Sequence, residues 1–223
     1  MTELYKIYNT IRSNIDKRLN EFKTLYETGS HKDIFKEMSF CTCTPQNDAK
    51  KAWDAVCHLD SDGTLLHGDA GSIAKILRDR GVRFHQNKAR YIVINRNNFY
   101  PNTKKMITDI LNDNVSCSPN MAEYQTIVAA RNLLEKKVTG WGLKEASHFL
   151  RNIGFGSGIS ILDRHILRQL AEYNVIKEIP QTLTKKTYWQ IENMMLDFSN
   201  KEKIPLDAMD LLFWYKEKNE LFK

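Results

Sequence analysis

Two residues in this chain have the type and setting for covalent chemistry, Lys144 and Asp163. Lys144 follows the pair Gly140-Trp-Gly142, a tight hairpin signal whose backbone can approach another group closely. Leu143, Ala146, Phe149, Leu150 and Ile153 then recur at helical spacing, so Lys144, Ser147, His148 and Arg151 share the opposite face. An amine in the first turn of a helix lies beside the positive end of the macrodipole. That position favours the neutral, nucleophilic form. Asp163 precedes a second helical run, Arg164 to Tyr173, as an N-cap whose carboxylate accepts backbone N–H bonds. A carboxylate kept ionised in this way can stabilise positive charge developing on a sugar ring. Each feature also has a plain structural reading, a helical hairpin for the first and a cap for the second.

The elements that must position these residues are nearly all helical by period. Leu4, Tyr8, Ile11, Ile15, Leu19, Phe22 and Tyr26 mark an amphipathic helix over 3–27, broken by Thr28-Gly-Ser. A short helix is expected over Asp33 to Met38. Thr44 is expected to cap a further helix opened by Pro45, with Trp53 in the core. Asp60-Ser-Asp-Gly and His67-Gly-Asp-Ala-Gly read as loops, and the first lacks the later ligands of a calcium loop. Ser72 to Arg80 reads as a helix ended by Gly81. The basic, aromatic stretch 82–96 reads as a helix from Asn87 with Ala89, Ile92 and Val93 inside and its basic heads solvated. Further helices are expected over 103–113, Ala122 to Lys137, Lys185 to Asn200 and Leu206 to Lys218, the last opened by Pro205. No stretch alternates with period two, so the fold class is all-α.

With 223 residues the chain can bury a sizeable core, as one large domain or two small ones. A formal net charge of +6 is consistent with a polyanionic partner. No apolar run is long enough to span a membrane and no secretion signal opens the chain, so an intracellular location is expected. Cys41, Cys43, Cys57 and Cys117 form neither a C-x-x-C pair nor a late cluster, which argues against zinc and iron–sulfur sites.

The segments Lys-Glu-Ala-Ser-His-Phe-Leu-Arg-Asn, from Lys144, and Asp-Arg-His-Ile-Leu-Arg, from Asp163, carry a resemblance. They resemble the small, chiefly archaeal branch of 8-oxoguanine DNA glycosylase/lyases in the helix-hairpin-helix superfamily. The resemblance implies two helical lobes, 33–150 and 1–32 plus 151–223, with a DNA cleft between them. It makes Lys144 the Schiff-base nucleophile and Asp163 the stabiliser of the oxocarbenium-like sugar. Gln46 and Asn47 would face the DNA, with Gln46 entering the space left by the extruded base. Lys88 would contact phosphate. Gly140 and Gly142 would hold a phosphate through a bridging monovalent cation. Trp214 and Lys223, nine residues apart, would meet the extruded base. No catalytic metal or organic cofactor is implied, and the partner is double-stranded DNA containing 8-oxoguanine, bound by a monomer with no membrane involved. One departure is that Phe155 to Leu162 is a residue longer than usual, with two extra glycines that make a flexible link.

Two other readings remain open on these residues. One keeps the superfamily and changes the lesion, to an oxidised pyrimidine or an alkylated base. The absence of iron–sulfur cysteines and the Trp214 to Lys223 ending weigh against it. The other is a non-catalytic helix-hairpin-helix DNA-binding module, in which an amine at Lys144 paired with Asp163 has no purpose.

Overall fold

The computed structural model describes residues 2–117 and 123–223. Among them every regular element is helical: α1 Glu3–Thr28, α2 His31–Cys43, α3 Ala49–Ser61, α4 Thr64–His67, α5 Ala70–Asp79 and α6 His85–Phe99, then α7 Thr103–Cys117, α8 Glu123–Lys137, α9 Leu143–Asn152, α10 Arg164–Glu172, α11 Lys185–Glu202 and α12 Leu206–Lys218. Ala122, the expected first residue of the helix leading into the hairpin, lies outside the described residues. No helix among the described residues is long and apolar enough to cross a membrane.

Local signals explain most boundaries. α1 buries Leu4, Tyr8, Ile11, Ile15 and Phe22 and ends where the Gly29 N–H reaches Leu25 O. α2 opens with a capping box between Ser30 and Asp33 and outruns its expected end at Met38. Its last turns, Phe40 to Cys43, are buried on every side, so packing sustains the helix after amphipathic periodicity stops. Thr44 does not cap a new helix. It closes α2, its hydroxyl bonds back to Cys41 O, and Asp48 caps α3 by accepting the Lys51 N–H. A carboxylate is the better acceptor for an orphan helix N–H, and the five residues between α2 and α3 form a turn.

The apolar side chains gather into two cores. One takes Phe35 and Phe40 from α2, Leu59 from α3, Leu77 from α5, Leu134 from α8 and Phe149 from α9. The other takes Leu4 and Ile15 from α1, Leu170 from α10, Met195 from α11 and Phe213 from α12. Helix α9 lies where they meet, with Leu143 in the second core and Ala146, Phe149 and Leu150 in the first. Each of these fully buried large side chains contributes roughly 1.5–3 kcal/mol.

A polar tie also joins the two sides. Arg131 of α8 is fully buried and pairs with Glu192 of α11 at 2.6 Å. The same Glu192 oxygen accepts the Ser160 N–H at 2.8 Å, and Ser160 O accepts from the Tyr188 hydroxyl at 2.6 Å. These bonds tie Ser160, within the expected flexible link between α9 and α10, to α11. A Cβ at Gly156 would stand 2.8 Å from Arg151 Cγ, and one at Gly158, where φ is +77°, would stand 2.5 Å from Tyr124 Cβ. These glycines serve close packing, and the link to Asp163 is held in place.

Candidate active site

Helix α9 presents its polar face to an interior cavity. Nearly all its residues are buried, and Lys144, His148 and Arg151 line a cavity of about 120 Å³ that is open at its mouth. Across it stand Asp163 at the start of α10, Asp210 and Trp214 on α12, Thr44 and Asn47 from the turn before α3, and Lys223. The two residues singled out for covalent chemistry therefore face one cavity, brought there by different helices.

The hairpin before α9 is fixed from behind. The Asn95 side chain of α6 accepts the Thr139 N–H at 2.9 Å and donates to Thr139 O at 3.1 Å. Gly140 adopts φ +87° directly over the Tyr91 ring, where a Cβ would come within 2.3 Å of the ring carbons. Trp141 is buried and donates from Nε1 to Thr42 Oγ1 at 2.9 Å. Gly142 caps α9, and its N–H bonds Glu145 Oε2 at 3.0 Å. The Lys144 ammonium lies 3.0 Å from Glu145 Oε1 and donates to Thr44 Oγ1 at 3.3 Å. Burial works against ionisation of Glu145, yet the Lys144 charge, its hydrogen bond and the Gly142 N–H hold the carboxyl below its ordinary range.

Asp163 is the N-cap of α10. Its Oδ1 accepts both the His165 N–H at 2.8 Å and the Ile166 N–H at 2.9 Å, which leaves Oδ2 outside the cap. Arg151 pairs with Asp210 at 3.0 Å in a buried setting. Burial pushes the Asp210 carboxyl up to about 6, the Arg151 charge opposes this, and Asp163 and Asp207 add to it. Trp214 is half-buried, packs edge-on against His165 with ring centres 5.5 Å apart, and has a buried Nε1 without a partner. The Lys223 ammonium pairs with Glu37 and stands 3.5 Å over the Trp53 ring. Glu37 is itself buried on α2 and takes Asn152 Nδ2 on its other oxygen at 2.6 Å.

Comparison with known proteins bears on what this cavity is for. The family model described as 8-oxoguanine DNA glycosylase, Ogg-HhH, matches residues 15–204. The chain belongs to that family. A Fusobacterium nucleatum relative named 8-oxoguanine DNA glycosylase/AP lyase is 44% identical over 99% of this chain and 96% of its own. The crystal structure of the Methanocaldococcus jannaschii 8-oxoguanine glycosylase/lyase, in complex with a 15mer DNA containing 8-oxoguanine, superposes with a TM-score of 0.83. It is 32% identical and covers all of both chains. The Thermotoga maritima 8-oxoguanine DNA glycosylase gives 0.82 at 30% identity, covering 99% of this chain and 97% of that one.

Within this glycosylase-family fold, the residues expected at the site separate into groups. Lys144, Asp163, Asn47, Trp214 and Lys223 line the cavity, and Gly140, Gly142, Gln46 and Lys88 do not. Gln46 is exposed at the tip of the turn beside Asn47, in a left-handed conformation with φ +53°. Lys88 requires a correction. It is buried, its ammonium donates to Cys43 O at 2.8 Å and Pro45 O at 2.9 Å, and burial pushes it down to about 8. Its charge satisfies the carbonyls of the turn below the cavity and is not solvated, so a phosphate contact is excluded in this arrangement.

Several residues of the site escaped the sequence reading. Glu37 and Asp210 are acids inside otherwise apolar helix faces, flanked by Met38 and by Met209 and Leu211. A buried acid in such a setting needs a partner, and that was the available signal. His148 and Arg151 were placed on the Lys144 face by spacing alone, without an assigned role.

Proposed function

We propose that this protein removes 8-oxoguanine from double-stranded DNA and cleaves the resulting abasic site by β-elimination. The observation that carries the reading is that Lys144 and Asp163 line one cavity, the amine on one helix and the capping carboxylate on another. The duplex binds as a partner of a single protein molecule, across a cleft between two lobes built on the two cores, and the damaged nucleotide turns out of the stack into the cavity. Trp214 offers the flat face for the base. Gln46 enters the stack from the exposed turn and fills the vacated space.

Charge develops on the sugar as the C1′–N9 bond breaks and its electron pair leaves with the base. Asp163, with Oδ2 free of the cap, stabilises that positive charge. Lys144, once its ammonium has given up a proton, forms a bond to C1′; the C1′–O4′ bond then breaks, O4′ takes a proton as the sugar ring opens, and a Schiff base is left. Loss of a C2′ proton then expels the 3′ phosphate as the C3′–O bond breaks, which nicks the strand. Glu145 and Thr44 hold the amine in place for this sequence.

Gly140 and Gly142 let the hairpin backbone approach a phosphate. Main-chain carbonyls of the hairpin that are not already taken by hydrogen bonds are the kind of donor that would hold a monovalent cation, which would supply charge compensation alone. Incubation with a duplex containing 8-oxoguanine, with and without borohydride, tests the whole reading. A nicked product and a trapped covalent adduct are expected. A panel in which an oxidised pyrimidine or alkylated base is excised and 8-oxoguanine is not would overturn it.

A further inference from the structure

One buried polar atom in the cavity has no partner and no part in bond cleavage. His148 lies one turn beyond Lys144 on the same face of α9 and lines the cavity, yet its Nε2 makes no hydrogen bond. The ring is not free to turn. It packs edge-on against Phe40 with centres 5.5 Å apart, and Phe40 packs in the same way on Trp53 and Phe222. The Lys223 ammonium lies 5.7 Å from the centre of the Phe40 ring that backs the imidazole. A neutral imidazole that carries its proton on Nδ1 keeps a lone pair at Nε2. Lys223 in turn is anchored at its far end by Glu37, which Asn152 also holds.

Guanine and 8-oxoguanine have the same Watson–Crick edge. Their hydrogen-bonding polarity differs at N7, where guanine carries a lone pair and the lesion an N–H. We propose, building on the activity described above, that His148 selects the lesion by accepting a hydrogen bond from its N7–H at Nε2, and that the Glu37–Lys223 pair positions the ring for this. A guanine in the same place sets one lone pair against another in a buried site, which costs far more than in water. Burial, with the Arg151 and Lys144 charges, holds the imidazole well below the ordinary histidine range, so it stays an acceptor. The Lys223 ammonium, committed to Glu37 and the Trp53 face, then acts as an anchor and the imidazole does the reading.

The test is single-turnover excision from two duplexes, one with 8-oxoguanine and one with 8-methoxyguanine, which keeps the C8 oxygen and has a lone pair at N7. Nicking of a pre-formed abasic site, which involves no base, gives the reference. His148→Phe should lower the 8-oxoguanine to 8-methoxyguanine ratio by about ten- to a hundredfold, the range of one lost buried hydrogen bond, and nicking should fall much less. His148→Gln, whose amide can turn either its oxygen or its nitrogen to N7, should lower the ratio too, which covers the case where the ring swap fails to fold. Glu37→Gln should lower the ratio by a smaller factor, a change that a merely weakened fold does not produce. An unchanged ratio in both histidine variants, or nicking that falls in step with excision, would overturn the proposal. An unaltered protein that excises neither base would instead defeat the activity on which it rests.

Discussion

The Lys144 ammonium rests 3.0 Å from Oε1 of Glu145, whose other oxygen closes the start of α9 on the Gly142 N–H. A single carboxylate therefore ties the nucleophile to the hairpin, and any shift of the hairpin moves the amine with it.

Lys144→Gln should abolish borohydride trapping and most strand cleavage, with DNA affinity largely kept. The amide keeps a polar, uncharged end one methylene short of the Lys144 nitrogen and cannot form a Schiff base. Trapping at the unaltered level would remove Lys144 as the nucleophile.

Asp163→Asn keeps an acceptor for the His165 and Ile166 N–H groups and deletes the charge. The melting temperature should stay near normal, because Asn caps about as well as Asp. Base excision should drop by about a hundredfold or more, the scale seen when one transition-state electrostatic contact is removed. A variant that loses stability and keeps its activity per folded molecule would reverse this ranking of the two roles.

Lys88→Met leaves the Cys43 and Pro45 carbonyls without their donor and should cost about 1–3 kcal/mol of stability. The slope of log affinity against log salt should not change, because the ammonium meets no phosphate. A slope shallower by about one would restore the phosphate contact.

Glu192→Ala should cost about 3–5 kcal/mol in denaturant unfolding, since it strands a fully buried Arg131 and frees the Ser160 N–H. The double change Arg131→Met with Glu192→Leu should recover much of that loss. If the single variant costs under about 1 kcal/mol, the pair is not what holds this link.

Asp210 binds its proton more tightly in the folded chain, up to about 6, than the ordinary 3.8 of an unfolded one. Its contribution to stability is therefore complete below about pH 3.8 and is lost as pH rises through about 6, amounting to roughly 3 kcal/mol. Asp210→Asn should flatten the stability curve between those values. Parallel urea midpoints for the two proteins from pH 4 to 7 would decide this, and identical curves would show that the carboxyl titrates alike in the folded and unfolded chain.

Lys144 and Asp163 were legible because each is announced by its immediate neighbours, a glycine pair in one case and a helix start in the other. The helices followed for the same reason, since periodicity is local. Lys223 and Glu37 lie 186 positions apart, and nothing local in either stretch reveals the other. Lys88 was misread because its basic neighbours suggest a solvated face. Its true setting depends on a turn more than forty positions earlier that lacks a donor. Thr44 was misplaced because Thr-Pro and Asn-Asp both signal helix starts, and only packing of α2 settles which one is used.

Leu221 and Phe222 are neighbours in the chain, yet Leu221 packs on one hydrophobic core and Phe222 on the other. The buried Arg131–Glu192 pair ties the same two cores through α8 and α11. Loss of either core therefore strips contacts from the other, so the two should melt in a single cooperative transition.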